Sequence, residues 1–183
     1  MIKKLPPNFE IKKYGLVARL VTESDASFIL KVRSDPRIVL YMQGTAETLE
    51  DQIKWIRKYK ERELVGTDFY FIFSLLDGTP QGVERIYGIT ESSFTIGSWV
   101  FANDAEKSSS ILADIMMREL GFEMYPDGLC HFDVNVDNIN VMRYSLSYKS
   151  EFIRQEGKQQ YYYCTRENCF NQIRRYLRML GKI

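Results

Sequence analysis

Apolar positions along the chain change period several times, and each change marks an element. From Gly15 to Val21, Leu16, Ala18 and Leu20 alternate with Val17, Arg19 and Val21, the two-residue period of a strand. Thr22-Glu23-Ser24-Asp25 then forms a capping-box pattern, and Phe28, Ile29 and Val32 predict a short helix that Asp35-Pro36 stops. A second box, Thr48-Leu49-Glu50-Asp51, opens a longer helix to about Glu63. Leu49, Ile53 and Ile56 share one face of it and Trp55 stands beside Tyr59. Lys54, Arg57, Lys58, Lys60 and Arg62 occupy the other, a solvated surface or an anion-steering one. Strands follow over Phe69–Leu75, Val83–Tyr87 and Phe94–Phe101, with a turn at Asp77-Gly78.

The polar stretch 103–110 leads into a helix over 111–122, where Ile111, Leu112, Ile115, Met116 and Leu120 keep helical spacing. Cys130 to Val136 alternates as a half-buried strand, Asp137 or Asn138 caps a helix through Tyr144, and Tyr161–Cys164 forms a sixth strand. A final helix over Asn168–Leu180 turns Phe170, Ile173, Leu177 and Leu180 inward. Arg174, Arg175 and Arg178 sit near its C-terminal end, where the helix dipole favours cations. The polar, weakly patterned stretches 44–48 and 102–110 are loop-sized, and no repeat or linker divides the chain. The expectation is one α/β domain over 1–183, with an N-terminal extension over 1–14 and a C-terminal helix over 167–183.

Composition narrows the chemistry. Lys and Arg number 25 against 24 Asp and Glu in 183 residues, so the net charge is +1, unlike a dedicated nucleic-acid binder. The single histidine, His131, excludes a multi-histidine metal centre, and any catalytic triad has to pass through it. Cys130, Cys164 and Cys169 form no CxxC and read as reduced thiols. The amino terminus has no apolar leader core, and no run approaches the ~20 residues of a membrane span. These features point to the cytoplasm, with no metal, nucleic-acid or membrane partner. Where a strand ends at Phe101 and a helix begins after three serines, unpaired N–H groups and the helix dipole favour phosphate. Lys107 adds a cation, and Ser108, Ser109 and Ser110 add hydroxyls; simple capping accounts for the serines equally.

Arg19-Leu20-Val21-Thr22-Glu23-Ser24-Asp25 with Val32-Arg33-Ser34-Asp35-Pro36 resembles the start of the GNAT acetyltransferase superfamily, in its Rim-type branch. Ile96-Gly97-Ser98-Trp99-Val100 is similar to that branch's fourth strand. His131-Phe132-Asp133-Val134, with Asn138, Val141, Met142 and Tyr144, is similar to its fifth strand and following helix. Together the motifs cover about residues 15–165. The nearest relatives in this resemblance acetylate amino groups of sugar nucleotides for surface polysaccharides. It implies a single-domain fold with a mixed central sheet, helices on both faces, and strands four and five splayed into a cleft for acetyl-CoA. Trp99, Val100 and Phe101 would pair with pantetheine, the N–H groups of Lys107, Ser108, Ser109 and Ser110 would hold the pyrophosphate, and Asn138 would touch the cofactor. The family pattern, Gln or Arg, two residues, Gly, one residue, Gly or Ala, is met here by Ala105, Ser108 and Ser110, which predicts a crowded loop.

Thioester aminolysis needs no protein nucleophile; it needs positioning, a base for the amine and an acid for the leaving sulfur. Tyr144 is the candidate acid, one place before the superfamily's usual tyrosine. Glu84, Glu91 and Asp133 are candidate bases, and His131, in phase with Asp133, a candidate relay. The expected function is acetyl transfer to the primary amine of a small molecule, an amino-sugar nucleotide foremost. A protein N-terminus or polyamine acceptor, or a non-catalytic GNAT-like binding module, are the alternatives. Tyr161–Tyr163 suit the edge of a homodimer as well as an acceptor pocket.

Overall fold

The computed structural model describes residues 3–42, 44 and 46–183, so Met1, Ile2, Gln43 and, within the expected 44–48 loop, Thr45 lie outside the described residues. Among these, eight strands form one sheet: β1 (Glu10–Lys13), β2 (Leu16–Leu20), β3 (Asp68–Leu75), β4 (Pro80–Tyr87), β5 (Ser93–Phe101), β6 (Leu129–Asn135), β7 (Glu151–Glu156) and β8 (Gln159–Cys164). Their order is β1-β2-β3-β4-β5-β6-β8-β7. Every neighbouring pair is antiparallel except β5 and β6. The helices are α1 (Ala26–Arg33), α2 (Pro36–Val39), α3 (Leu49–Val65), α4 (Ser109–Met124), α5 (Ile139–Leu146) and α6 (Arg166–Met179).

Side-chain alternation on β3 assigns the two faces. Phe69, Phe71 and Phe73 enter a core shared with α4 and α6, whereas Tyr70 and Ile72 enter a second core with α1 and α3. A strand buried on both faces reads as an unbroken apolar run, which Phe69–Phe73 is. Helix α4 is buried along most of its length, and Gly121 lets it approach β5: a Cβ there would lie 2.2 Å from the Phe94 ring.

Three local expectations change. Leu49 is exposed; the inward face of α3 is Gln52, Ile56, Tyr59 and Glu63, with the Tyr59 hydroxyl donating to Glu63. The chain does not leave helical structure at Asp35-Pro36, because Asp35 caps the single turn α2 with Pro36 at its first position. Edge strands β1 and β7 join the six expected ones; every residue of β7 is exposed, so no buried face imprints a pattern on it.

Candidate active site

The parallel ladder between β5 and β6 runs only from Ser93↔Leu129 to Thr95↔His131. Beyond Thr95 the strands part, leaving β5 with a partner on the β4 side alone over 96–101. A cavity of about 740 Å³ opens there, within the range of ligand sites. Opposite it the β4–β5 register shifts: Val83 faces Val100 and Arg85 faces Gly97, so Glu84 stands against both Ser98 and Trp99. Ser98 carries the bulge with φ 52°.

The expected site residues divide into two groups. Glu84, Trp99, Val100, Phe101, Ser110, Asn138 and Tyr144 all line the cavity. Trp99 donates its indole N–H to the Ser110 carbonyl at 2.9 Å and stacks on Tyr144 at 5.1 Å, tying β5 to α4 and α5. Asn138 caps α5 by accepting the Val141 N–H. Lys107, Ser108 and Ser109 do not line it: Lys107 is exposed, Ser109 is buried, and its N–H donates to the Glu106 carbonyl. His131 stands at the last joined rung, outside the lining and 6.1 Å from the Tyr163 ring, with its pKa lowered by burial. Glu91 is exposed, in the turn between β4 and β5. The turn before α4 keeps a left-handed residue despite lacking glycine, since Ser108 takes φ 72°. The serines therefore strain that loop rather than abolish its shape.

At the cavity floor Tyr144 and Glu84 join a cluster around Asp114 and Arg118, two residues absent from the sequence-based expectations. Asp114 and Arg118 are one turn apart on α4, 3% and 2% exposed, with Nε 2.7 Å from Oδ2. The hydroxyls of Tyr144 (2.6 Å) and Tyr148 (3.3 Å) donate to the same carboxylate oxygen. Arg118 lies 4.0 Å over the Tyr148 ring and donates to the sulfurs of Cys130 and Cys164. Glu84, 1% exposed, has no hydrogen-bond partner on either oxygen while ionised. Burial first, and the Asp114 charge second, push its pKa well up, so it holds a proton it can share with Asp114. Burial and Asp114 likewise keep Tyr144 a neutral phenol. The signal for this cluster in the sequence is the i, i+4 pair Asp114 and Arg118 within an otherwise apolar helix.

Charge is unevenly spread over the remaining wall. Arg33 and Arg37 enter from the ends of α1 and α2, beside Tyr41 and Met42. Arg37 is held by Asp35 and Asn103; Arg33 has no carboxylate partner among the described residues. Asp133 on β6 and Asp137 after it line the same cavity, Asp137 paired with Lys158. Burial raises the Asp133 pKa against a hydrogen bond from Tyr87, whose own pKa is pushed up to about 12.

No family model and no curated protein matches the chain. Among solved structures, FdhC, a nucleotide-linked sugar GNAT in its apo form, superposes with a TM-score of 0.81 at 29% identity, over 93% of this chain and 98% of that one. The chain has the fold of the GNAT acetyltransferases. Two further acetyltransferases share its fold. One is a GCN5-related N-acetyltransferase from Brucella melitensis, with TM-score 0.74, 9% identity and coverage of 93% and 85%. The other is spermidine N-acetyltransferase from Vibrio cholerae in complex with CoA and spermine, with TM-score 0.68, 13% identity and coverage of 86% and 99%. The expected fourth and fifth strands of that fold are β5 and β6 here. No helix among the described residues is long and apolar enough to cross a membrane.

Proposed function

We propose that this GNAT transfers an acetyl group from acetyl-CoA to the primary amine of a nucleotide-linked amino sugar. The observation that carries the reading is the mixed charge of one cavity, lined by Arg33 and Arg37 from α1 and α2 and by Asp133 and Asp137 from β6 and the turn after it. Such a layout suits an acceptor with phosphates at one end and an amine at the other; a polyamine gains nothing from the arginine wall. The resemblance to a nucleotide-linked sugar GNAT supports the same acceptor class.

In the proposed chemistry the free edge of β5 over 96–101 pairs with the pantetheine amides, and the turn before α4 takes the pyrophosphate with Lys107 at its rim. The amine nitrogen attacks the thioester carbon as the C–S bond breaks. Asp133, half-buried in the cavity, accepts the proton lost by nitrogen. Tyr144 supplies a proton to the departing sulfur, and the Tyr148 hydroxyl, 2.8 Å away, stabilises the phenolate left behind. Glu84, whose pKa burial and the Asp114 charge push up, accepts a proton only above that raised pKa and is not assigned the base. His131 takes no part.

The test is thiol release from acetyl-CoA with a nucleotide-linked amino sugar, spermidine and a peptide amine in parallel. The first should be preferred by at least tenfold in kcat/KM. Arg33→Ala should raise the KM for that acceptor about tenfold, as expected for one lost phosphate contact, and leave the KM for acetyl-CoA unchanged. Equal turnover of all three acceptors would refute the assignment. Tyr144→Phe should lower kcat about a hundredfold.

A further inference from the structure

A second hollow, of about 330 Å³, lies between the turn after α5 and the outer face of α6, and shares no lining residue with the catalytic cavity. Four of its eight lining residues are cations: Lys149, Arg174, Arg175 and Arg178. The others are a serine and side-chain amides; no carboxylate and no apolar side chain lines it. None of the four cations has a carboxylate partner among the described residues. Elsewhere, Lys13, Arg19, Arg57, Arg85 and Lys158 are each matched to one. Four unmatched charges in one hollow, on a protein of net charge +1, leave −3 for the rest of the chain. The helix dipole accounts for Arg178, in the last turn of α6, but not for Arg174 and Arg175 further in.

The hollow is built rather than incidental. Its two walls are separated by about 20 residues of sequence and held together by hydrogen bonds. Asn168 donates to the Lys149 carbonyl at 3.4 Å, and the Ser147 hydroxyl pairs with that of Tyr176 at 2.9 Å. Lys149 itself sits at φ 52°, a left-handed conformation that a lysine adopts only at a conformational penalty. That turn brings a cation from a second segment to face the arginines of α6. Asn171 accepts from Arg174 at 2.5 Å and holds its guanidinium at the rim.

We propose that this hollow is a binding site for a soluble oligophosphate, an anion with two or more linked phosphate groups. Guanidinium groups match phosphate oxygens in a two-pronged geometry, and a compact anion bridging both walls relieves the repulsion among four neighbouring cations. The concave shape and small volume favour a free anion of this size over an extended polymer or a flat lipid surface.

The test is an amide NMR titration of the 15N-labelled full chain with sodium tripolyphosphate, read at Lys149, Arg174 and Arg175 and separately at residues 107–110. Saturable shifts at the hollow are expected, with affinity falling about tenfold for each arginine removed in Arg175→Ala and Arg175→Ala/Arg178→Ala. Response at 107–110 should be unchanged in these variants. Shifts confined to 107–110, hollow shifts equal in wild type and variants, or shifts reproduced by sodium chloride at matched ionic strength would each overturn the site. So would binding to vesicles of phosphatidylglycerol in phosphatidylcholine without binding of tripolyphosphate.

Discussion

Asp114→Asn removes one charge from the cluster at the floor of the cavity between β5 and β6 and leaves its partner in place. Arg118 is 2% exposed; its remaining hydrogen-bond and ring neighbours are two thiols and the faces of Tyr148 and Phe132, and the nearby Glu84 carboxyl is itself pushed toward its neutral form by burial. Breaking a buried ion pair in this way costs about 3–5 kcal/mol. For a domain of this size each kcal/mol moves the melting temperature by about 2–4 °C, so a fall of about 10 °C is expected in differential scanning calorimetry. The companion variant Asp114→Asn/Arg118→Met removes both charges and fills the space with an apolar chain. Because the loss comes from an orphaned charge, that variant should recover most of the melting temperature. It should not recover kcat, since Tyr144 loses the charged acceptor that orients its hydroxyl at 2.6 Å. A single variant melting within about 2 °C of wild type would refute the account of the pair. A double variant as unstable as the single one would refute it equally.

Glu84 gives a prediction with a definite sign. Its folded-state pKa lies above the unfolded value, so its stabilising contribution is complete below about pH 4 and declines as pH rises toward the folded-state value. Glu84→Gln should therefore gain on wild type by up to about 1.4 kcal/mol per pH unit above that point, and thermal scans at pH 5 and pH 8 showing a constant difference would refute it. Ser108→Gly should raise stability by about 1 kcal/mol, because glycine adopts φ 72° without strain; chemical denaturation checks this through the midpoint at unchanged slope. Gly121→Ala should destabilise by about 3 kcal/mol, since the new Cβ meets the Phe94 ring at 2.2 Å; a melting temperature equal to wild type would show that the ring moves aside freely.

What the sequence revealed and what it hid follow from periodicity. Strands such as β3 and β6 are legible because a core lies on one or both faces and imposes an apolar run or alternation. β7 is exposed throughout, so its residues answer to no core and carry no pattern. The cleft was legible as a strand feeding a helix, and Trp99, Ser110, Asn138 and Tyr144 meet there. His131 illustrates the limit of phase arguments: it shares a face with Asp133, yet it stands where β5 and β6 are still joined. How far the two strands stay together is a matter of register, which local sequence does not encode. The charged lining of the cavity joins residues of α1 and α2 with residues of β6, segments about 100 residues apart that no local pattern relates.

Ser108 bears on how such proteins diverge. The turn before α4 demands a dihedral angle, not a residue, and glycine is simply the side chain that meets the demand without strain. A lineage with stability to spare can exchange that glycine for serine at a loss of about 1 kcal/mol and keep the backbone path. Sequence drift of this kind erases a motif while the architecture persists. Descendants of one ancestor then stay recognisable by shape after their shared signature has faded from the letters.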